Sequence, residues 1–358
     1  MDKKIIPFHI LSEESFSRKF LDGLFEDASK FKFIFSHFNK IYNERKLGDV
    51  KKELANILHY ASMAALFEEP STRTENSFKM AMLHMGGRVV LSQNAKEFSS
   101  LVKGESRYDF GRVFAGYSPD VIALRSAVDD GVDEFAKGVD NSIGYKPHVI
   151  NAGAGKAKHP TQTLLDLFTI QEHFGSIDGL TIAMVGDLKH GRTVHSLSHA
   201  LAKLYKINKI IFIAPDELQL PDEDIKNLRK ENINYIKTID TEVAFKEADV
   251  LYIVRPQRER MQGNSVDVLK QLDNIKITSE LLKKFPGDRP IIMHPLPRTT
   301  EIENSVDEDF RAIYFEQSDN GMYIRMALLL RLIRPNYNID PIVSKVEGIV
   351  NMKYLKIN

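Results

Sequence analysis

An α/β protein of two domains, each a mainly parallel sheet flanked by helices, is the fold class this sequence predicts. Three observations carry it. The chain has 358 residues, enough for two cores of ordinary size. Apolar runs of strand length alternate with helix-length segments, the pattern of a parallel sheet covered on both faces. Polar strings follow the ends of those runs repeatedly, and open α/β sheets bind ligands beyond the carboxyl ends of their strands.

The first stretch reads as helix, because Phe16, Phe20, Leu21 and Leu24 recur at helical spacing behind Ser12 as a candidate cap. A short strand is expected at Met63–Phe67. From Thr74 the set Phe78, Ala81, Met82 and Met85 follows helical spacing, Gly86-Gly87 stops it, and Val89-Val90-Leu91 reads as a second strand. Residues 92–107, SQNAKEFSSLVKGESR, are polar and aperiodic and read as a loop. DVIALRS (120–126) and HVINAG (148–153) read as strands that end in polar residues, and Pro160 stands where a first helical turn belongs, ahead of TLLDLFTI.

A second α/β block follows, with strand-like runs LTIAMVGD (180–187), KIIFIAP (209–215), ADVLYIV (248–254) and RPIIMHP (289–295). The boundary falls near 155–165. Residues 1–158, joined by helices from 321–358, form the first domain, and 159–320 the second. The tail is expected helical from MALLLRLI and from the stripe Ile342, Val343, Val346, Ile349 and Val350. Six polar strings around two sheets imply an active site in the interdomain cleft.

Composition narrows the function. Lys plus Arg equals Asp plus Glu, 49 each, so no global field favours nucleic acid or an anionic membrane, and neither is expected as a partner. An anionic small substrate would need a local cluster of Arg and Lys. The chain has no cysteine, which excludes disulfides, thiolate catalysis and Cys-ligated zinc. The opening MDKKIIPFHILSEESF lacks a secretory apolar core, and the run Met326–Leu330 is too short to span a bilayer. A cytoplasmic location is expected.

Ser71-Thr72-Arg73-Thr74, within FEEPSTRTENSF, has two readings. Its hydroxyls can cap a helix, or the free N–H groups and Arg73 can hold a phosphate. Glu75 and Lys79 are spaced for a favourable i, i+4 pair. His159, in His159-Pro-Thr-Gln162, is either a donor near neutral pH or a packing histidine. GDLKHGR (186–192) follows a strand as a nucleotide-binding turn does, but lacks the spaced glycines of a dinucleotide or ATP site. His195 and His199 are four apart without the Glu of H-E-x-x-H, so no metal is expected. Arg255, Arg258 and Arg260 are consistent with a solvated basic face.

Together, EPSTRT (69–74), KGES (103–106), the strand end at Arg125, HPTQTLLDLFTI (159–170), MVGDLKHGRTVHSL (184–197), RPQRER (255–260) and HPLPR (294–298) resemble the aspartate carbamoyltransferases, in family order from about residue 8 to 335. The resemblance implies a carbamoyltransferase-type fold, with a carbamoyl-phosphate-binding first domain and an aspartate-binding second domain. It implies transfer of a carbamoyl group from carbamoyl phosphate to the amine of L-aspartate, an early step of pyrimidine biosynthesis, without a cofactor. On it, Arg73, Thr74, Lys103, Arg125 and His159 are catalytic. Ser71, Thr72, Arg73 and Thr74 hold phosphate with Arg125, while Thr74, Arg125 and His159 donate to the carbonyl oxygen and Gln162 orients the carbamoyl NH2.

The same resemblance assigns aspartate to Arg192, Arg255, Gln257 and Lys103, with the backbone carbonyls of Pro295 and Leu296 facing the amine. It implies a homotrimer in which Ser100 and Lys103 enter a neighbouring active site, and it admits separate regulatory chains. Glu69 pairs with Arg192 and Arg260 across the domains. The chain departs from the family at Glu68, where an aromatic is common, and at Glu75 and Lys79, where Arg and Glu are common. His190 stands where some members have Tyr. The alternatives are an ornithine or related amino-acid carbamoyltransferase, or a catalytically silent subunit. The first typically has a cysteine in H-C-L-P where this chain has HPLP, and RPQRER suits a second carboxylate better than an ammonium.

Overall fold

The apolar runs become buried parallel strands in two separate sheets. The computed structural model describes residues 7–41, 43–93, 100–155, 158–257 and 266–354. The chain divides into two units, Met1–Thr161 with Asn320–Asn358, and Gln162–Asp319.

In the first unit, β1 (Ser62–Phe67), β2 (Arg88–Gln93), β3 (Val121–Ser126) and β4 (His148–Ala154) pair in parallel in the order β2-β1-β3-β4. The order reverses between β1 and β3, which opens a crevice beyond their carboxyl ends. Both strands are apolar along nearly their whole length because the sheet is covered on both faces. On one side α4 (Arg107–Gly116) and α5 (Gly131–Asp140) bring Phe110, Val132, Phe135 and Val139 onto Leu66, Ile122, Leu124 and Val149.

Helix α1 (Arg18–Ser36) is capped by Ser17, whose side chain accepts from the Phe20 N–H at 3.2 Å. This corrects the expectation of Ser12. Ser12 precedes a short 3-10 turn, Glu13–Ser15, and extended backbone at Phe16 and Ser17 interrupts the apolar period. Helices α2 (Glu44–Ala55) and α3 (Thr72–His84) follow. The tail helices α12 (Tyr314–Ile333) and α13 (Asp340–Tyr354) tie back to this unit. Arg331 pairs with Asp27 of α1 at 2.7 Å, and Lys345 with Glu53 of α2 at 2.6 Å.

The stretch expected as one loop, 92–107, is not uniform. β2 runs on to Gln93, Ser100–Lys103 is a 3-10 turn, and α4 begins at Arg107; residues 94–99 lie outside the described residues. Leu101 packs against the core and anchors the turn, a single apolar contact that leaves no period to read.

In the second unit, β5 (Thr181–Gly186), β6 (Lys209–Ile213), β7 (Tyr235–Thr238), β8 (Val250–Val254) and β9 (Ile291–Met293) pair in parallel in the order β7-β6-β5-β8-β9. Here the order reverses between β5 and β8. Helices α6 (Pro160–Phe174), which begins two residues before this unit, α7 (Arg192–Leu204), α8 (Asp222–Lys230), α9 (Glu242–Glu247), α10 (Val266–Asn274) and α11 (Ser279–Lys284) complete the alternation. β7 was not expected, because YIKT is a half-exposed edge strand without an apolar run. Among the described residues, no helix is long and apolar enough to cross a membrane.

Candidate active site

The polar strings of the first unit gather where its strand order reverses. β1 leads through Glu68, Glu69 and Pro70 into α3, and β3 ends at Arg125 and Ser126 beside it, with Phe67 level with Arg125. Ser71 occupies the cap position of α3 but makes no side-chain cap hydrogen bond. Capping therefore does not explain the serine, and the helix end keeps its N–H groups available to an anion. Thr72 and Arg73 are exposed and Thr74 is buried. Partial burial pushes the Arg73 guanidinium below its ordinary pKa, a penalty that a bound anion would relieve.

Arg125 is 9% exposed, and its Nε has no hydrogen-bond partner among the described residues. Burial lowers its pKa, while the charge of Glu69, 4.0 Å away, pulls the other way. The β3–β4 register shifts between Leu124 and Ser126, so an irregularity sits at Arg125, the kind of defect that re-aims a side chain. Gly153 on β4 has φ +124°, and a Cβ there would lie 2.8 Å from Arg125 Nη1 and 3.6 Å from His159 Cδ2. The positive φ favours glycine, and the missing Cβ leaves the room that the Arg125 guanidinium occupies; the imidazole lies at ordinary contact distance.

Two departures noted in the sequence find compensation. The Glu68 carboxylate is 2% exposed. It accepts from Arg107 Nε at 3.0 Å and Nη2 at 2.8 Å, from Ser126 Oγ at 3.2 Å and from the Ala127 N–H at 2.8 Å. The Glu68 N–H in turn donates to the Arg125 carbonyl at 2.9 Å. The clamp therefore joins the β1 end, the β3 end and the start of α4. Glu75, also buried, is paired with Lys79 at 2.9 Å. These two residues line an open hollow of about 290 Å³ with Phe67, Pro70, Ser71, Thr72 and Asn76, on the face of α3 that carries Thr72. Lys103 is exposed on the turn before α4; Ser100 shares that turn.

In the second unit the strings again flank the reversal, after β5 and after β8. Gly186 has φ +117°, and a Cβ would fall 2.2 Å from the Val254 carbonyl, so glycine closes the two strand ends. Asp187 is fully buried and accepts from the His190 N–H at 3.2 Å, from His190 Nδ1 at 2.9 Å and from the Gln257 N–H at 3.0 Å. Gln257 Nε2 donates to the His190 carbonyl. One acid thus ties the turn that leads to Arg192, the first residue of α7, to the segment carrying Arg255 and Gln257. Arg260 and Arg258 lie outside the described residues, so the expected pairing of Glu69 with Arg260 does too.

The turn after β9 is held by His294. Its Nδ1 accepts from the Leu296 N–H at 2.8 Å, which makes Nε2 the donor to Glu301, also at 2.8 Å. Burial alone would raise Glu301, but hydrogen bonds from His294 and Thr299 bring its carboxyl down to about 2. Leu296 has φ +52°, which turns the Pro295 and Leu296 peptides sharply at this point. Gln162, in the first turns of α6, donates through Nε2 to Asp166 at 2.9 Å. Among the described residues no group of three His, Asp or Glu side chains could hold a metal.

Sequence reasoning missed the supports: Arg107, Asp166, Asp187 as an anchor, Gly153 and Glu301. A lone acid in the apolar TLLDLFTI was the one signal available, since a buried carboxylate needs partners.

Comparison with known proteins identifies the family of both halves of the chain. Residues 9–172 match the family described as aspartate/ornithine carbamoyltransferase, carbamoyl-P binding domain, and residues 178–332 match its Asp/Orn binding domain. An aspartate carbamoyltransferase catalytic subunit of Clostridium perfringens is 45% identical over 285 residues, 79% of this chain and 89% of that protein. The multifunctional protein pyr1-3 of Dictyostelium discoideum is 41% identical over 92% of this chain, which spans only 14% of that much longer protein. Aspartate transcarbamoylase from Trypanosoma cruzi, in complex with N-(phosphonacetyl)-L-aspartic acid, superposes with a TM-score of 0.76 at 36% identity, covering 90% of this chain and 94% of that one. It has also been solved with carbamoyl phosphate and aspartate. With both of its domains matched and these levels of identity, the chain belongs to the aspartate/ornithine carbamoyltransferase family.

Proposed function

We propose that the chain transfers the carbamoyl group of carbamoyl phosphate to the amine of L-aspartate, giving N-carbamoyl-L-aspartate and phosphate, an early step of pyrimidine biosynthesis. The observation that carries this reading is the uncapped start of α3 beside buried Arg125. A helix N-terminus with two guanidiniums nearby is a site for a dianion. Ser71, Thr72, Arg73 and Thr74 hold the phosphate together with Arg125.

As the aspartate amine attacks, a C–N bond forms and negative charge gathers on the carbonyl oxygen. Thr74, Arg125 and His159 donate to that oxygen, and donors fixed in advance stabilise the tetrahedral state without reorganising. The C–O bond to phosphate then breaks, and the amine proton leaves on the phosphate. Gln162 orients the NH2 of the carbamoyl group. No side-chain base and no covalent intermediate are needed, because positioning two reactants supplies much of the rate.

Arg192, Arg255 and Gln257, with Lys103, recognise the two carboxylates of aspartate, and the Pro295 and Leu296 carbonyls face its amine. This cationic set suits a second carboxylate and repels the ammonium of ornithine. The chain works as a cytoplasmic homotrimer in which Ser100 and Lys103 serve a neighbouring subunit. Exposed Met80 and Leu83 on α3, and Val90 and Leu91 on the edge strand β2, support an assembled state. The test is product formation from carbamoyl phosphate with aspartate and ornithine supplied at equal concentration. Carbamoyl aspartate as the main product is expected; carbamoyl ornithine, or no turnover by folded protein, overturns the reading.

A further inference from the structure

Asp166 lies on α6, fully buried, four residues beyond Gln162. Its Oδ1 accepts from Gln162 Nε2 at 2.9 Å and from Gln317 Nε2 at 2.7 Å, and its Oδ2 accepts from the Tyr252 hydroxyl at 2.8 Å. A carboxylate with this set of donors dictates which way each partner faces. Both glutamine amides must present their NH2 groups inward, because an ionised carboxylate only accepts.

The consequences differ for the two amides. Gln162 is left with Oε1 turned away from Asp166, an acceptor suited to the NH2 of a carbamoyl group. Gln317 is left with Oε1 toward the His294 N–H, which it accepts at 2.8 Å. His294 in turn receives the Leu296 N–H. Tyr252 extends the network in a third direction, since its hydroxyl also bonds Thr193, the neighbour of Arg192. Burial, and then the charge of Asp166, pushes the Tyr252 hydroxyl well above its ordinary range, so it stays a donor.

We propose that Asp166 is a positioning residue: it sets the acceptor face of Gln162 toward the carbamoyl NH2 and, through Gln317, holds the His294–Leu296 backbone that faces the aspartate amine. The inference rests on the carbamoyl-transfer reading given above. A merely structural carboxylate would affect stability without affecting the recognition of NH2.

Acetyl phosphate separates the two, because it carries CH3 where carbamoyl phosphate carries NH2. In Asp166→Leu the acceptor is gone and Gln162 can turn over. The ratio of the acetyl phosphate inhibition constant to the carbamoyl phosphate KM should then fall by about tenfold, as when a matched hydrogen bond is lost. Inhibition by inorganic phosphate, read by the α3 cradle and Arg125, should stay within about twofold of the parent. Asp166→Asn keeps Oδ1 for both glutamines and can turn its NH2 to Tyr252, so it should restore most of the ratio.

Gln317→Leu keeps the Asp166–Gln162 bond but frees the His294 N–H. It should raise the KM for aspartate about fivefold and leave the acetyl-to-carbamoyl ratio unchanged. If Asp166→Leu does not fold, Gln317→Leu decides. Retained discrimination in Asp166→Leu, or an unchanged aspartate KM in Gln317→Leu, overturns the proposal. Parent protein without carbamoyl transfer would instead sink the functional reading, so the two failures are distinguishable.

Discussion

Replacing Arg107 by Met should destabilise the first unit by about 3 kcal/mol, more than a surface arginine would. The Glu68 carboxylate is 2% exposed and takes two charge-assisted bonds from Arg107, at 3.0 and 2.8 Å. Without them, Ser126 Oγ and the Ala127 N–H remain, two neutral donors for a buried charge. Breaking a buried ion pair from one side typically costs about 3–5 kcal/mol. The Arg107 side chain is 23% exposed, so water can reach the gap and the lower end applies. The double variant Glu68→Gln/Arg107→Met removes the stranded charge while keeping a side-chain carbonyl to accept from Ser126 Oγ and the Ala127 N–H, and should return to within about 1 kcal/mol of the parent. Urea unfolding followed by circular dichroism measures the cycle, and amide exchange in β1 and β3 assigns the loss to this unit. Because the Glu68 N–H holds the Arg125 carbonyl, Arg107→Met should also raise the KM for carbamoyl phosphate. A single-variant loss below about 1 kcal/mol, or a double variant no more stable than the single, would refute the clamp.

Gly153→Ala sets a Cβ 2.8 Å from Arg125 Nη1 at φ +124°. It should lower kcat/KM by about tenfold or more while the protein stays folded, and a near-parent rate would contradict the role given to that strand end. Glu301 gives a pH signature. Its carboxyl sits at about 2 in the folded chain against an ordinary 4.5. The unfolded chain therefore binds this proton more readily, and the stabilisation is complete above the ordinary value and lost as pH falls toward the lower one. It amounts to something on the order of 3 kcal/mol. Glu301→Gln should flatten the fall in urea midpoint between about pH 5 and about pH 3; an unchanged slope would contradict it.

Most of the fold could be read because parallel strands buried on both faces are continuous apolar runs, as in LTIAMVGD and DVIALRS. β7 escaped because an edge strand needs no such run, and Ser17 displaced Ser12 because the apolar period continues across a break in the helix. The candidate site was legible as strings at strand ends, whose chemistry is local. Its supports were not. Glu68 finds Arg107 across 39 positions and Asp166 finds Gln317 across 151, distances over which a sequence carries no spacing signal. Even Ser71 reads correctly as a helix start and wrongly as a side-chain cap.

On the function proposed above, one chain type recognises a phosphate through the start of α3 and two carboxylates through the strand ends of the second unit. Calorimetric titration with N-(phosphonacetyl)-L-aspartate tests both at once, since that molecule carries a phosphonate and an aspartate. One molecule should bind per chain, and Arg73→Ala and Arg192→Ala should each weaken the complex by about tenfold or more. Absence of binding to the folded parent, or equal affinity in both variants and the parent, would contradict it.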